Sequence, residues 1–182
     1  MQEVNFNELI VDSSRALADI AVEMVKNDPK LLDQLFDISL REDGQASMRA
    51  ARVFDLADEA YPGLIKDYLD RCYKYILVAK HRSVQRCFMR TLSRYPLTED
   101  EELLGLFYDY CFRLITNQTA PIAVRYYGMY FTYQTCLKEP DLKNEILPML
   151  EEVIKNDSSG MRFRARMFKA DIIKNFGNLN QY

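Results

Sequence analysis

The stretch Ala123-Val124-Arg125-Tyr126-Tyr127-Gly128 decides how this chain is read. It follows a break at Asn117-Gln118 and opens an apolar pattern of helical spacing that runs to about residue 137. Degenerate copies of its start stand elsewhere at regular intervals. Ser47-Met48-Arg49, Val84-Gln85-Arg86 and Gly160-Met161-Arg162 align with Ala123-Val124-Arg125, at spacings of 37, 39 and 37 residues. Ser13-Ser14-Arg15 lies another 34 residues upstream of Arg49. Self-similarity at a fixed period of this length marks an array of stacked supersecondary units.

Working outward, breaks at Asp28-Pro29, Glu42-Asp43-Gly44, Tyr61-Pro62-Gly63, Ala79-Lys80-His81, Tyr95-Pro96, Glu139-Pro140 and Asp157-Ser158-Ser159-Gly160 punctuate the rest of the chain. Pro near a helix start and Gly between helices are the expected asymmetry. The breaks predict an N-terminal cap helix over about 7–27 and helix pairs over about 30–60, 63–94, 98–137 and 141–176, with a tail at 177–182. Links of a few residues make the two helices of each pair antiparallel neighbours. First helices repeat as well: Leu31-Leu32, Leu64-Ile65 and Leu103-Leu104 recur at 33 and 39 residues, each followed by a late acid, Asp37, Asp70 and Asp109. Thr98-Glu99-Asp100-Glu101 reads as a capping box at the start of the third pair. All 182 residues are expected in one all-α repeat domain.

The period and the second-helix motif resemble HEAT repeats, in which an arginine is followed three residues later by a small residue. Arg125 with Gly128 and Arg162 with Ala165 fit that pattern, and Arg15 with Ala18 fits it more loosely. Arg52 and Met89 stand at the small-residue position of the other two repeats and depart from it. The resemblance covers about residues 13–176. It implies a right-handed α-α superhelix with first helices on the convex side and second helices on the concave side. The tetratricopeptide repeat is the nearest rival, but its period of 34 is too short and its Trp-x-x-Leu-Gly-x-x-Tyr signature is missing.

Composition narrows the function. Hydrophobic residues make up 48% and charged residues 28%, the balance of a folded domain. Residues 1–12 carry acids and no uninterrupted apolar core of a signal peptide, and no apolar run approaches a membrane span. Cys72, Cys87, Cys111 and Cys136 each fall inside an apolar helical pattern and form no CxxC pair, which suits reduced, buried thiols and a cytoplasmic setting. His81 is the single histidine, so clustered metal ligands are missing, as are a Gly-rich phosphate loop and a GxSxG motif. No cofactor or metal is expected.

Charge is segregated between the two helix sets. The four second helices with their flanks hold 13 Lys/Arg and 4 Asp/Glu, whereas the first helices hold 9 and 17. Arg82, Arg86, Arg90 and Arg94 form a stripe on one helix; Arg162, Arg164 and Arg166 load the last. Tyr126, Tyr127, Tyr130 and Tyr133 add aromatic surface between them. The expected partner-binding face therefore comprises Arg49, Arg82, Arg86, Arg90, Arg125, Tyr126, Tyr130, Arg162, Arg164 and Arg166. Part of the charge has a structural use: Asp37, Asp70 and Asp109 are candidate partners for Arg49, Arg86 and Arg125. Arg82, Arg90, Arg94, Arg164 and Arg166 stand as surplus.

These readings predict a non-catalytic interaction or scaffold module that binds an acidic protein or peptide segment. Two alternatives stay open. One is a nucleic-acid binder, including a DNA-glycosylase-like enzyme as the family resemblance suggests, although the Trp stacking residues of such enzymes have no counterpart and no catalytic Asp is placed by motif. The other is a structural homo-oligomer whose arginines organise repeat stacking. The last helix favours self-association, because Phe163, Met167, Phe168, Ile172 and Ile173 cannot all face one side.

Overall fold

The computed structural model describes residues 5–177, all helix, turn and loop, with no strand among them. The expected tail lies, beyond Gly177, outside the described residues. Backbone contacts gather the chain into two units, residues 1–98 and 99–182. The first holds α1 (Phe6–Leu9), α2 (Arg15–Asn27), α3 (Pro29–Leu40), α4 (Gln45–Ala60), α5 (Leu69–Val78) and α6 (Arg82–Leu92). The second holds α7 (Glu101–Thr116), α8 (Ile122–Lys138), α9 (Lys143–Asn156) and α10 (Ser159–Phe176). Short 3-10 turns at Lys66–Tyr68 and Pro140–Leu142 lead into α5 and α9.

Against the bounds expected from the sequence, the described helices show three local differences. The single helix expected over 7–27 is broken. Asp12 accepts the Ser14 amide at 2.7 Å, and Ser14 caps α2 by accepting the Leu17 amide at 3.4 Å. Asp-Ser-Ser is thus a helix start rather than a helix interior, since these side chains compete for backbone amides. The helix expected from 63 begins at 69, because Tyr61-Pro62-Gly63 forms a turn with Gly63 at φ +93°. In the third pair Asp100, not Thr98, is the N-cap, accepting the Leu103 amide at 3.0 Å.

In the first unit α4 packs on its own first helix α3 and on the second-type helices α2 and α6. Aromatic rings fill the space between them. Phe36 stacks on Phe88 at 5.5 Å, and Phe54 meets Phe88 edge-on at 5.7 Å. All three rings are fully buried, and such pairs add about 0.5–1.5 kcal/mol each beyond their area. In the second unit α8 packs on α7 and α10, and α10 on α9. Phe107 meets Phe131 edge-on at 5.0 Å, and Phe168 stacks on Tyr133 at 4.3 Å.

A polar latch joins the two helices of a pair. Ser47 Oγ lies 2.7 Å from the Ile38 carbonyl, Gln85 Nε2 donates to the Ile76 carbonyl at 3.1 Å, and Arg125 Nε donates to the Ile115 carbonyl at 2.9 Å. Each acceptor is in the last turn of a first helix, where carbonyls lack intrahelical partners. The acceptor isoleucines are themselves periodic: Ile38, Ile76 and Ile115, with Ile154 at the same place in α9, recur at 38, 39 and 39 residues. The latch corrects the repeat register. Ser47, Gln85 and Arg125 are the equivalent residues, so Arg49 and Arg86 sit two and one positions later than the sequence alignment placed them. In the corrected register the small position falls on Ala50, Phe88, Gly128 and Ala165, and only Phe88 departs from the small-residue rule. The reason for a small residue is visible at Gly128, where a Cβ would come within 3.0 Å of the Cys111 carbonyl oxygen.

Candidate interaction surface

The second helices carry the arginines, and the structure sorts them by what they touch. On α6 the guanidinium of Arg94 donates to Asp55 Oδ1 and Asp58 Oδ2, both at 2.9 Å, and to the Asp55 carbonyl at 3.0 Å. Arg90 bridges Asp55 and Glu59, the latter at 2.6 Å. Thr91 Oγ1 donates to Asp55 Oδ1 at 2.9 Å, and the Tyr95 hydroxyl donates to Asp58. Asp55 and Asp58 are 3% and 1% exposed, so the network closes around two buried carboxylates. Burial and the Asp58 carboxylate push the Tyr95 hydroxyl up to about 12. Three of the four acids on the second helices are used here. Arg90 and Arg94 are therefore not surplus: they neutralise α4 from the next second helix.

Arg125 does not lie on an accessible face either. It is 3% exposed, inserted between Ile115, Gln118 and Asp157, and its ion pair is with Asp157 at the end of α9, not with Asp109. Asp37 pairs with Arg71 at 3.5 Å rather than with Arg49. Arg49 instead donates to Gln45 at 2.6 Å and to the Ile10 carbonyl at 3.4 Å, tying α4 to the end of α1. The expected pairings of Asp37 with Arg49 and Asp109 with Arg125 are thus not the ones formed: Arg49 turns to Gln45 and Ile10, and Arg125 to Asp157. Arg52, a departure from the small-residue pattern, donates to the Ser13 carbonyl.

Of the remaining expected residues, Arg82 is half-buried at the start of α6 and donates to Gln85 at 2.9 Å. Arg86 is exposed, beside the Cys87 thiol. Arg162 is half-buried, while Arg164 and Arg166 are exposed on α10. Tyr126 and Tyr130 on α8 are half-buried against α10: the Arg164 guanidinium sits 5.7 Å from the Tyr126 ring centre, and Tyr130 meets Phe168 at 6.4 Å. Tyr133 donates to Asp171 at 2.7 Å, and burial together with that carboxylate pushes its hydroxyl up to about 12. The two large apolar residues that α10 leaves exposed are Phe163 (58%) and Met167 (47%). Phe168 and Ile172 turn inward, as the one-sided helix requires.

The groups with chemical potential are in structural settings. All four cysteines are buried and unlinked, and burial pushes their thiols up, Cys87 to about 11. Thiols so displaced are poor nucleophiles at neutral pH. His81 occupies the N-cap position of α6, and its amide donates to Glu42 at 3.4 Å. Among the described residues no group of three or more His, Cys, Asp or Glu could hold a metal ion. No described helix is long and apolar enough to cross a membrane.

Antiparallel pairs at a period near 38, three of them latched at the same place and stacked within each unit through their second helices, define an α-helical repeat protein of the solenoid class. The chain matches the HEAT repeat domain over residues 6–170, and it belongs to the HEAT repeat family. No curated protein and no solved structure matches it. Repeats of this family generally mediate protein interaction or scaffolding.

Proposed function

We propose that the protein is a non-catalytic interaction or scaffold module, and that the second helices of its C-terminal unit bind an acidic protein segment. One observation carries this reading. In the N-terminal unit Arg90 and Arg94 of α6 meet buried acids, whereas on α10 Arg164, Arg166 and Lys174 are exposed, with the half-buried Tyr126, Tyr127 and Tyr130 of α8 alongside. Guanidinium and tyrosine side chains together are what protein interfaces favour as anchors.

The charge reversals Arg164→Glu and Arg166→Glu together should weaken binding of a fluorescein-labelled acidic peptide at least about two- to thirtyfold, given about 0.2–1 kcal/mol for each of the two exposed pairs lost. Unchanged anisotropy titrations would sink the assignment. Nucleic-acid binding has less support. The stripe from Arg82 to Arg94 is interrupted where Arg90 and Arg94 turn to Asp55, Asp58 and Glu59. A mobility shift with duplex or single-stranded DNA or RNA at low salt is expected to show no complex, and a complex lost steeply with added salt would favour the rival reading.

A further inference from the structure

The two units fill the space between their first helices differently. In the N-terminal unit, side chains of α5 and of the 3-10 turn before it cross to α3 and its end. The Tyr68 hydroxyl donates to Asp33 at 2.6 Å, and the Tyr75 hydroxyl to Glu42 at 3.1 Å. Between them Arg71 pairs with Asp37 at 3.5 Å and lays its guanidinium 4.4 Å from the centre of the Phe36 ring. A cation held by a carboxylate edge and an aromatic face thus occupies that groove.

In the C-terminal unit the space between α7 and the start of α9 is open. With the end of α8 these elements enclose a hollow of about 580 Å³, inside the range of about 300–1,000 Å³ usual for ligand sites. Buried Leu104 and Tyr108 and half-buried Leu142 give it an apolar floor. Its rim carries the exposed carboxylates of Glu101, Asp109, Glu139 and Glu145 against one ammonium, that of Lys138. The Tyr108 hydroxyl donates to Glu145 and ties that carboxylate to the floor. Gly105 stands in the wall, and a Cβ there would meet nothing within 4 Å. The ion pairs of this unit join Arg125 to Asp157 and Lys169 to Glu151, so among the described residues no cation pairs with the four rim carboxylates.

We propose that this hollow takes an arginine side chain from a basic partner segment, its methylenes against Leu104, Tyr108 and Leu142 and its guanidinium at the acidic rim. The rim does not suit a metal ion, since among the described residues no group of three His, Cys, Asp or Glu could hold one. A long side chain with a planar cationic head suits it, offering an apolar stem to the floor and several donors to separated acceptors. Arg71 on Phe36 and Asp37 is the precedent within the same chain. The site lies between other helices than the basic second-helix face and takes a cation rather than an acid, so it does not depend on that reading.

The probe is N-acetyl-arginine amide, titrated into the uniformly ¹⁵N-labelled full chain and read by amide shifts. Saturable shifts should concentrate at Gly105, Tyr108, Glu139 and Glu145. N-acetyl-citrulline amide, of the same shape without the charge, should bind at least about tenfold more weakly. Gly105→Leu fills the hollow, leaves the charge unchanged and improves helix propensity, so it should keep the fold and abolish the shifts. Asp109→Asn with Glu139→Gln should weaken binding about two- to thirtyfold, the range for two exposed ion pairs. Shifts spread equally over distant acids such as Asp70 and Glu152, equal binding of the citrulline amide, or a Gly105→Leu chain that binds as wild type would each overturn the proposal. Spermidine displacing the probe at lower concentrations than the probe itself needs would give the site to a free polyamine and overturn it too.

Discussion

Replacing Asp55 with Ala is the most informative perturbation of this fold. The Asp55 carboxylate is 4% exposed and accepts from Arg90, Arg94 and the Thr91 hydroxyl. Removing one partner of a buried pair costs about 3–5 kcal/mol, because the charge left behind is uncompensated. Two features lower that figure here. Arg90 keeps Glu59 and Arg94 keeps Asp58, and their side chains are 38% and 28% exposed, so water reaches both guanidiniums. One feature raises it: Thr91 is fully buried, and its hydroxyl loses its acceptor, at about 1–3 kcal/mol. The balance is a loss of about 2–4 kcal/mol. At about 2–4 °C per kcal/mol for a chain of this size, the melting temperature should fall by about 5–15 °C. Urea unfolding followed by circular dichroism gives the free energy directly, and an Arg94→Ala, Asp55→Ala double-mutant cycle should return a coupling of about 1–3 kcal/mol. An Asp55→Ala protein within about 0.5 kcal/mol of wild type, the range of an ordinary surface change, would refute the claim that this network holds α4 to α6.

Three further outcomes follow from the same geometry. Gly128→Val should lower stability by about 1–3 kcal/mol by overpacking against the Cys111 carbonyl, while Gly105→Ala, an exposed helix position with open space around its Cβ, should raise it by about 0.5–1 kcal/mol; the opposite signs are read from paired denaturation curves. Glu42 accepts the Lys80 amide at 2.6 Å, the His81 amide at 3.4 Å and the Tyr75 hydroxyl at 3.1 Å, and these bonds, the Lys80 amide foremost, hold its carboxyl below the ordinary value of 4.5. A depressed folded value means stability is present above pH 4.5 and lost as pH falls below it, so Glu42→Gln should flatten the acid limb of a stability–pH profile; an unchanged limb contradicts the assignment. Finally, the four thiols should react with Ellman's reagent slowly in the native protein at pH 8 and all together in denaturant, since burial both hides them and raises them.

Helix existence, pairing and the repeat were legible because breaks such as Asp28-Pro29 and Tyr61-Pro62-Gly63 and the apolar spacing between them are local signals. The register was off at two repeats for a chemical reason. The latch needs a donor that reaches the last turn of the first helix, and Ser47, Gln85 and Arg125 all supply one. An alignment on arginine cannot see a position defined by donation rather than by residue type. The periodic isoleucines Ile38, Ile76, Ile115 and Ile154 were in plain view and would have fixed it. The candidate face was less legible, since which arginines meet acids depends on residues more than thirty positions away, as for Arg90 with Asp55 and Arg125 with Asp157.

The carboxylates at Asp55 and Asp58 lie between repeats rather than inside one. In a quasi-one-dimensional protein, stability divides into an intrinsic part for each repeat and a coupling part for each junction. The network adds a charged, partly buried contribution to the junction between α4 and α6. Repeats so coupled open together rather than one at a time, so amides of α4 and α6 should exchange with solvent at a common rate. By the same reasoning, loss of the network through Asp55→Ala should let the amides of α4 and α6 exchange at separate rates.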